Sequence, residues 1–129
     1  MAFARIISAL LNGNPFSVYG TGEQSRDFTF VDDAVEATIA AMERGPRAMV
    51  YNVGGGSETT LNGVIALCET LAGTRLDVVN EPVARGDVRR TGADTTLIRS
   101  QLGWRPKTSL AEGLAAQLAA ARAASGTAA

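Results

Sequence analysis

The tightest constraint on this chain's fold is a regular switching between helical spacing and short β-type runs, each closed by glycine or proline. Phe3, Ile6, Ile7, Leu10 and Leu11 recur at the i, i+3, i+4, i+7, i+8 spacing of one helix face, and Asn12-Gly13-Asn14-Pro15 stops that helix. Phe16 to Tyr19 predicts a short strand closed by Gly20-Thr21-Gly22, a polar loop follows, and Phe28 to Val31 predicts a second strand. Asp33 with Glu36 predicts a capping box for a helix whose apolar face is Val35, Thr38, Ile39 and Met42 and whose end lies near Gly45-Pro46. Met49 to Val53 is a further β-type run. Gly54-Gly55-Gly56-Ser57 leads from it to a strongly amphipathic helix with Leu61, Val64, Ile65, Cys68 and Leu71 on one face and Gly73 as its stop. Strand, glycine turn and helix in that order make half of a βαβ unit.

Leu76 to Val79 predicts another strand, and Asn80 to Gly92 is a long polar segment of a length that tends to be functional. A short helix from Thr95 to Leu102 follows an Asp94 cap and ends at Gly103, and Ser109 with Glu112 opens a last helix through Leu110, Leu114 and Leu118. Residues 1–118 are expected to form one folded lobe, and the alanine-rich residues 119–129 to fray. Helices alternating with short strands define an α/β domain with mixed α+β character and no internal repeat. The first helix starts abruptly at Met1 with no N-cap, which fits either a chain cut from something longer or a native start with a frayed first turn.

Residue types narrow the chemistry further. A chain of 129 residues, 46% hydrophobic and 19% charged with net charge −1, is sized for one globular domain with its own core. There is no histidine and the only cysteine is Cys68, so imidazole base catalysis, a Ser-His-Asp triad, Cys/His zinc sites and disulfide scaffolding are unavailable within the chain. Near-neutral charge argues against nucleic acid as a partner. No stretch approaches the roughly 18 apolar residues of a membrane helix, and Met1 to Leu11 lacks a signal-peptide layout, so a cytoplasmic address is expected. Lys107 is the only lysine against eleven arginines, a bias that suits bidentate capture of phosphate or carboxylate and equally fits codon composition.

Three motifs carry candidate chemistry, and a fourth is structural. Gly54-Gly55-Gly56 between a strand and a helix suits either a phosphate contact through backbone N–H groups or a tight turn, and it matches no dinucleotide or P-loop fingerprint. Arg26, in a polar loop and held by its neighbour Asp27, suits either an anion grip or a surface ion pair. Arg85-Gly86-Asp87-Val88-Arg89-Arg90 has the same two readings, although three guanidinium groups in six residues of a long loop are hard to assign to packing. Leu102-Gly103-Trp104-Arg105-Pro106 reads as structural: glycine ends a helix, Trp104 covers the core and Pro106 fixes the exit.

The string from Phe16 to Asp33, FSVYGTGEQSRDFTFVDD, resembles the extended short-chain dehydrogenase/reductase family, the NAD-dependent nucleotide-sugar epimerases and dehydratases. Tyr51-Asn52-Val53-Gly54-Gly55-Gly56 resembles that family's late strand and turn, Arg85 to Arg90 its substrate-diphosphate loop, and Leu102 to Pro106 its near-terminal signature. The resemblance extends to about Leu118 and implies the carboxy-terminal, substrate-binding part of an extended Rossmann-type fold. It implies that Arg26 and Arg85 bind the diphosphate of a UDP- or dTDP-sugar, that Asp87 accepts from ribose hydroxyls, and that the strand around Val18 and Tyr19 lies where the base is read, with Asn52 a weaker contact or a strand-end cap. The family's glycine-rich NAD fingerprint and Tyr-x-x-x-Lys pair are absent: Tyr19 and Tyr51 are followed four residues later by Glu23 and Gly55. The implied chain therefore carries no catalytic residue, no metal ligand and no NAD site of its own, and is expected to be inactive alone. Its implied partners are a nucleoside-diphosphate sugar and either a missing amino-terminal NAD-binding part or a second copy. The alternative is a non-enzymatic module that associates with itself or with another chain through a bare apolar face.

Overall fold

The computed structural model describes residues 2–84 and 86–126, so Arg85 lies outside the described residues. Helix α1 (Ala2–Asn12) is followed by β1 (Phe16–Tyr19), β2 (Ser25–Phe28), α2 (Val31–Arg44), β3 (Ser57–Thr60), α3 (Leu61–Ala72), β4 (Val78–Glu81), α4 (Thr96–Leu102) and α5 (Leu110–Ala124). The strands form two ribbons: β1 pairs parallel with β4, Phe16 opposite Val78, and β2 pairs antiparallel with β3, Arg26 opposite Thr59.

The larger core gathers the predicted inner faces of α1 and α3. Ile6, Leu10, Phe16, Val18, Val64 and Cys68 meet there with Leu114 of α5, all buried. The helices end as their sequences dictate. Gly73 and Gly103 take left-handed conformations with φ of 71° and 65°, which glycine adopts without a Cβ penalty. Ser109 and Glu112 complete the expected capping box, the Glu112 N–H donating to Ser109 Oγ and the Ser109 N–H to Glu112 Oε2. Helix α5 runs on to Ala124, five residues past the expected start of fraying at Ala119, and Arg122 donates to the Ala72 carbonyl at the end of α3.

A second, smaller core joins Ala37 and Ala40 of α2 to Ile98, Leu102 and Trp104. Here the structure corrects the sequence reading. The buried face of α2 is Asp33, Ala37 and Ala40, while Val35, Ile39 and Met42 are exposed, Met42 by 77%. The helix carries two apolar stripes, and the spacing cannot tell which one a neighbour covers. Asp33 caps nothing: the N-cap is Phe30, without a side-chain bond, and the Asp33 carboxylate turns inward. Its Oδ1 accepts from the Lys107 N–H and its Oδ2 from the Thr108 N–H, both at 3.0 Å, while its carbonyl accepts from Trp104 Nε1. One aspartate thus fixes the 104–108 connection that carries the chain into α5.

Two predicted strands also move. The second strand is Ser25–Phe28 and the fourth Val78–Glu81, because their partners across the ribbons set the register, which local alternation does not. Met49 to Val53 forms no strand among the described residues, so the expected strand–turn–helix half-unit is replaced by an unpaired segment running through the glycines into β3.

Burial alone would raise the Asp33 carboxyl, but the two N–H donors outweigh it and hold the group below its ordinary value of 3.8. With the folded value depressed, its stabilising contribution is complete above the unfolded value and drains away as pH falls through the folded one. Asp33→Asn should cost about 1–3 kcal/mol at neutral pH, because a carboxamide leaves one part-buried N–H without an acceptor. In urea unfolding followed across pH, the gap between variant and wild type should narrow below about pH 4.

Candidate functional site

The site is built on β2, whose alternation sends successive side chains to opposite faces. Arg26 occupies the middle of that strand, where a polar loop was expected. Its Nη1 donates to the Ser25 carbonyl at 2.7 Å and its Nη2 to Asp87 Oδ1 at 2.5 Å, with both side chains about 30% exposed. The expected holder, Asp27, faces away. Asp27 Oδ2 accepts from the Gly55 N–H at 2.6 Å and from the Ala93 N–H at 3.3 Å, so this carboxylate clamps the glycine turn to the 92–93 segment. Its Oδ1 is buried and has no partner among the described residues.

That clamp removes the phosphate reading of the glycine turn. The Gly55 N–H already serves a carboxylate, and a second anion would meet Asp27's negative charge there. The glycines are needed for close approach: a Cβ on Gly56 would lie 2.5 Å from the Phe28 carbonyl oxygen, and one on Gly54 would lie 2.6 Å from the Ala93 Cβ.

Ser25 ties the long loop to the strand on the other side. Its N–H donates to the Arg89 carbonyl and its carbonyl accepts from the Thr91 N–H, so residues 89–91 run beside β2 as a bridge. Glu58 of β3 locks this arrangement. Its two carboxylate oxygens accept from Arg90 Nε at 2.7 Å and Nη2 at 2.8 Å, and Oε1 also accepts from Ser25 Oγ. The Arg90 guanidinium, and then the Ser25 hydroxyl, hold the Glu58 carboxyl below its ordinary range, and Glu58 in turn raises Arg90. The sequence reading missed Glu58. Its partners lie 32 or more residues away, and a lone acid in a short strand carries no local signal.

Of the nominated residues, Arg26 and Asp87 are brought into contact by their side chains, and Arg85 lies outside the described residues. Val18 is 1% exposed and belongs to the core, so its side chain is closed to a ligand. Tyr19, at the end of β1, is half exposed, and its carbonyl accepts from Gln24 Nε2. Asn52 is exposed and donates through Nδ2 to the Asp94 carbonyl at 3.3 Å, holding the unpaired 49–53 segment against the start of α4. Beside the glycine turn, a cleft of about 530 Å³ is lined by Asp27, Gly55, Glu58, Arg90 and Asp94 among others. Arg26 and Asp87 lie outside that cleft's walls. No cluster of three or more potential metal-ligating side chains occurs among the described residues, and no helix there is long and apolar enough to cross a membrane.

The pattern of the NAD dependent epimerase/dehydratase family matches residues 1–54. UDP-glucose 4-epimerase of Mycolicibacterium smegmatis is 36% identical over 107 residues, covering 83% of this chain and 34% of that protein. dTDP-glucose 4,6-dehydratase of Streptomyces griseus is 36% identical over 116 residues, covering 89% of this chain and 35% of that protein. The solved structure of Thermotoga maritima UDP-glucose 4-epimerase with UDP-glucose superposes with a TM-score of 0.90 at 36% identity, over 96% of this chain and 40% of that one. The chain belongs to the NAD-dependent epimerase/dehydratase family, with the mixed α/β fold of part of a Rossmann-type epimerase. It spans about a third of the length of these curated relatives.

Proposed function

We propose that this chain is the nucleotide-sugar-binding part of an epimerase or dehydratase, gripping the diphosphate of a UDP- or dTDP-sugar. The observation that carries the reading is Arg26: a planar guanidinium in the middle of a strand, steadied by the Ser25 carbonyl and still open to solvent on one side. A guanidinium keeps its charge at any working pH and offers paired donors to phosphate oxygens. The T. maritima relative, solved with UDP-glucose, supports the same ligand class. In this reading Arg85 is the second diphosphate ligand, Asp87 takes the ribose hydroxyls, and the Val18–Tyr19 strand end lies beside the base with only Tyr19 offering a side chain. Asn52 is the most peripheral contact.

The chemistry of the family, transient hydride transfer between sugar and NAD, needs a Tyr-x-x-x-Lys pair and a dinucleotide fingerprint that this sequence does not contain. We therefore propose that the chain binds without turning over and that NAD and the reacting residues belong to a complementary part. A cytoplasmic setting belongs to the same reading.

A second reading, association with that complementary part or with another copy, is favoured by one specific observation. Val31, Val35, Ile39 and Met42 of α2 are exposed, as are Met49, Val50 and Val53 of the segment that follows it. The backbone of residues 49–53 makes no hydrogen bond among the described residues, so apolar area and unpaired strand edge coincide there.

Calorimetric titration with UDP-glucose should give saturable binding that Arg26→Ala weakens by about 1.5–3 kcal/mol, the scale of a hydrogen bond to a charged group. Unchanged affinity in that variant would remove the assignment. In sedimentation velocity the chain should associate with rising concentration, and Ile39→Lys with Met42→Lys should return it to monomer. A wild-type monomer at every concentration would count against the second reading.

A further inference from the structure

Arg26 and Asp87 present a difficulty for any anion that binds there. The Nη2 of Arg26 is already committed to the Asp87 carboxylate. An incoming phosphate must either displace that carboxylate or sit beside it as a like charge. Asp87 has little else to hold: its backbone N–H donates to the Ala84 carbonyl at 3.3 Å, and its carboxylate makes no other hydrogen bond among the described residues. Displacement by a bare anion therefore leaves a carboxylate facing a phosphate with no donor among the described residues in place of the one it lost.

We propose that Asp87 is an internal counter-anion that makes this site select phosphates carrying hydroxyl donors close by and reject bare phosphates. A ligand with a vicinal diol near its diphosphate offers Asp87 two O–H donors in exchange for the guanidinium, so both charges stay partnered. A ligand without the diol offers nothing in return. The inference rests on the reading that Arg26 takes the diphosphate, and it goes beyond a simple contact between Asp87 and a sugar. A contact alone predicts that removing the Asp87 charge leaves diol-free ligands unaffected, whereas exchange predicts that they bind more tightly.

The ion pair is partly exposed, so the effect is screened by salt and the comparison needs fixed, moderate ionic strength. The whole chain is titrated calorimetrically with pyrophosphate, UDP and 2′,3′-dideoxyuridine diphosphate, as wild type, as Asp87→Asn, and as Asp77→Asn, which removes one charge elsewhere. Wild type should prefer UDP over its dideoxy counterpart. Asp87→Asn should bind pyrophosphate and the dideoxy ligand about tenfold more tightly than wild type, the scale of relieving one like-charge contact, while its preference for UDP collapses. Asp77→Asn should show neither change, and adding Arg26→Ala to Asp87→Asn should abolish the gain. If Asp87→Asn leaves the diol-free ligands at wild-type affinity while UDP still binds through Arg26, exchange is wrong and the diphosphate reading stands. If the same gain appears in Asp77→Asn, it is general electrostatics and the proposal falls. If Arg26→Ala binds UDP as wild type does, or wild type binds no UDP, the diphosphate reading falls and takes this inference with it.

Discussion

Strand β2 is only four residues long, yet the candidate site depends on it, because its first three residues each hold part of the 87–93 segment. Ser25 holds the backbone of residues 89–91, Arg26 holds Asp87, and Asp27 holds the Ala93 N–H together with the glycine turn. The 82–92 stretch has no helix or strand of its own among the described residues. Its shape is therefore set by polar contacts to one strand, with the two-pronged Glu58–Arg90 pair as reinforcement. Such contacts are individually modest where water reaches them, and their value lies in fixing geometry. A loop held this way keeps its charged groups accessible, which a packed apolar loop would not.

Much of this was legible from residues 1–126. Inner faces of α1 and α3, the glycine stops at Gly73 and Gly103, the Ser109–Glu112 box and the structural role of Trp104 are local effects, and local pattern carries them. What was not legible is non-local. Asp33 fits an N-cap pattern, but the N–H groups of Lys107 and Thr108, more than seventy residues away, claim its carboxylate. Asp27 stands next to Arg26 in sequence, which suggests a pair, while strand alternation puts the two on opposite faces and gives Arg26 to Asp87. Glu58 had no sequence signal because its meaning lies in Arg90 and Ser25.

The one predicted strand that did not form is informative in a different way. Met49 to Val53 has the composition of a buried strand, and the apolar stripe of α2 precedes it along the chain. Both features suit a larger sheet, and the relatives are about three times as long as the part matched here. The same segment thus carries a strand signal without a strand partner, and Asn52 and Tyr51 anchor it only by side chains, to the Asp94 carbonyl and Gln101. Local alternation supplies only a preference, and among the described residues no partner strand pairs with this segment.

The most direct test of the account is a crystal structure of the chain with UDP-glucose. The account predicts diphosphate oxygens within about 2.7–3.2 Å of the Arg26 Nη atoms, with the Asp87 carboxylate moved from the guanidinium to the ribose hydroxyls. A bound nucleotide lying elsewhere, with the Arg26–Asp87 pair undisturbed, would contradict it.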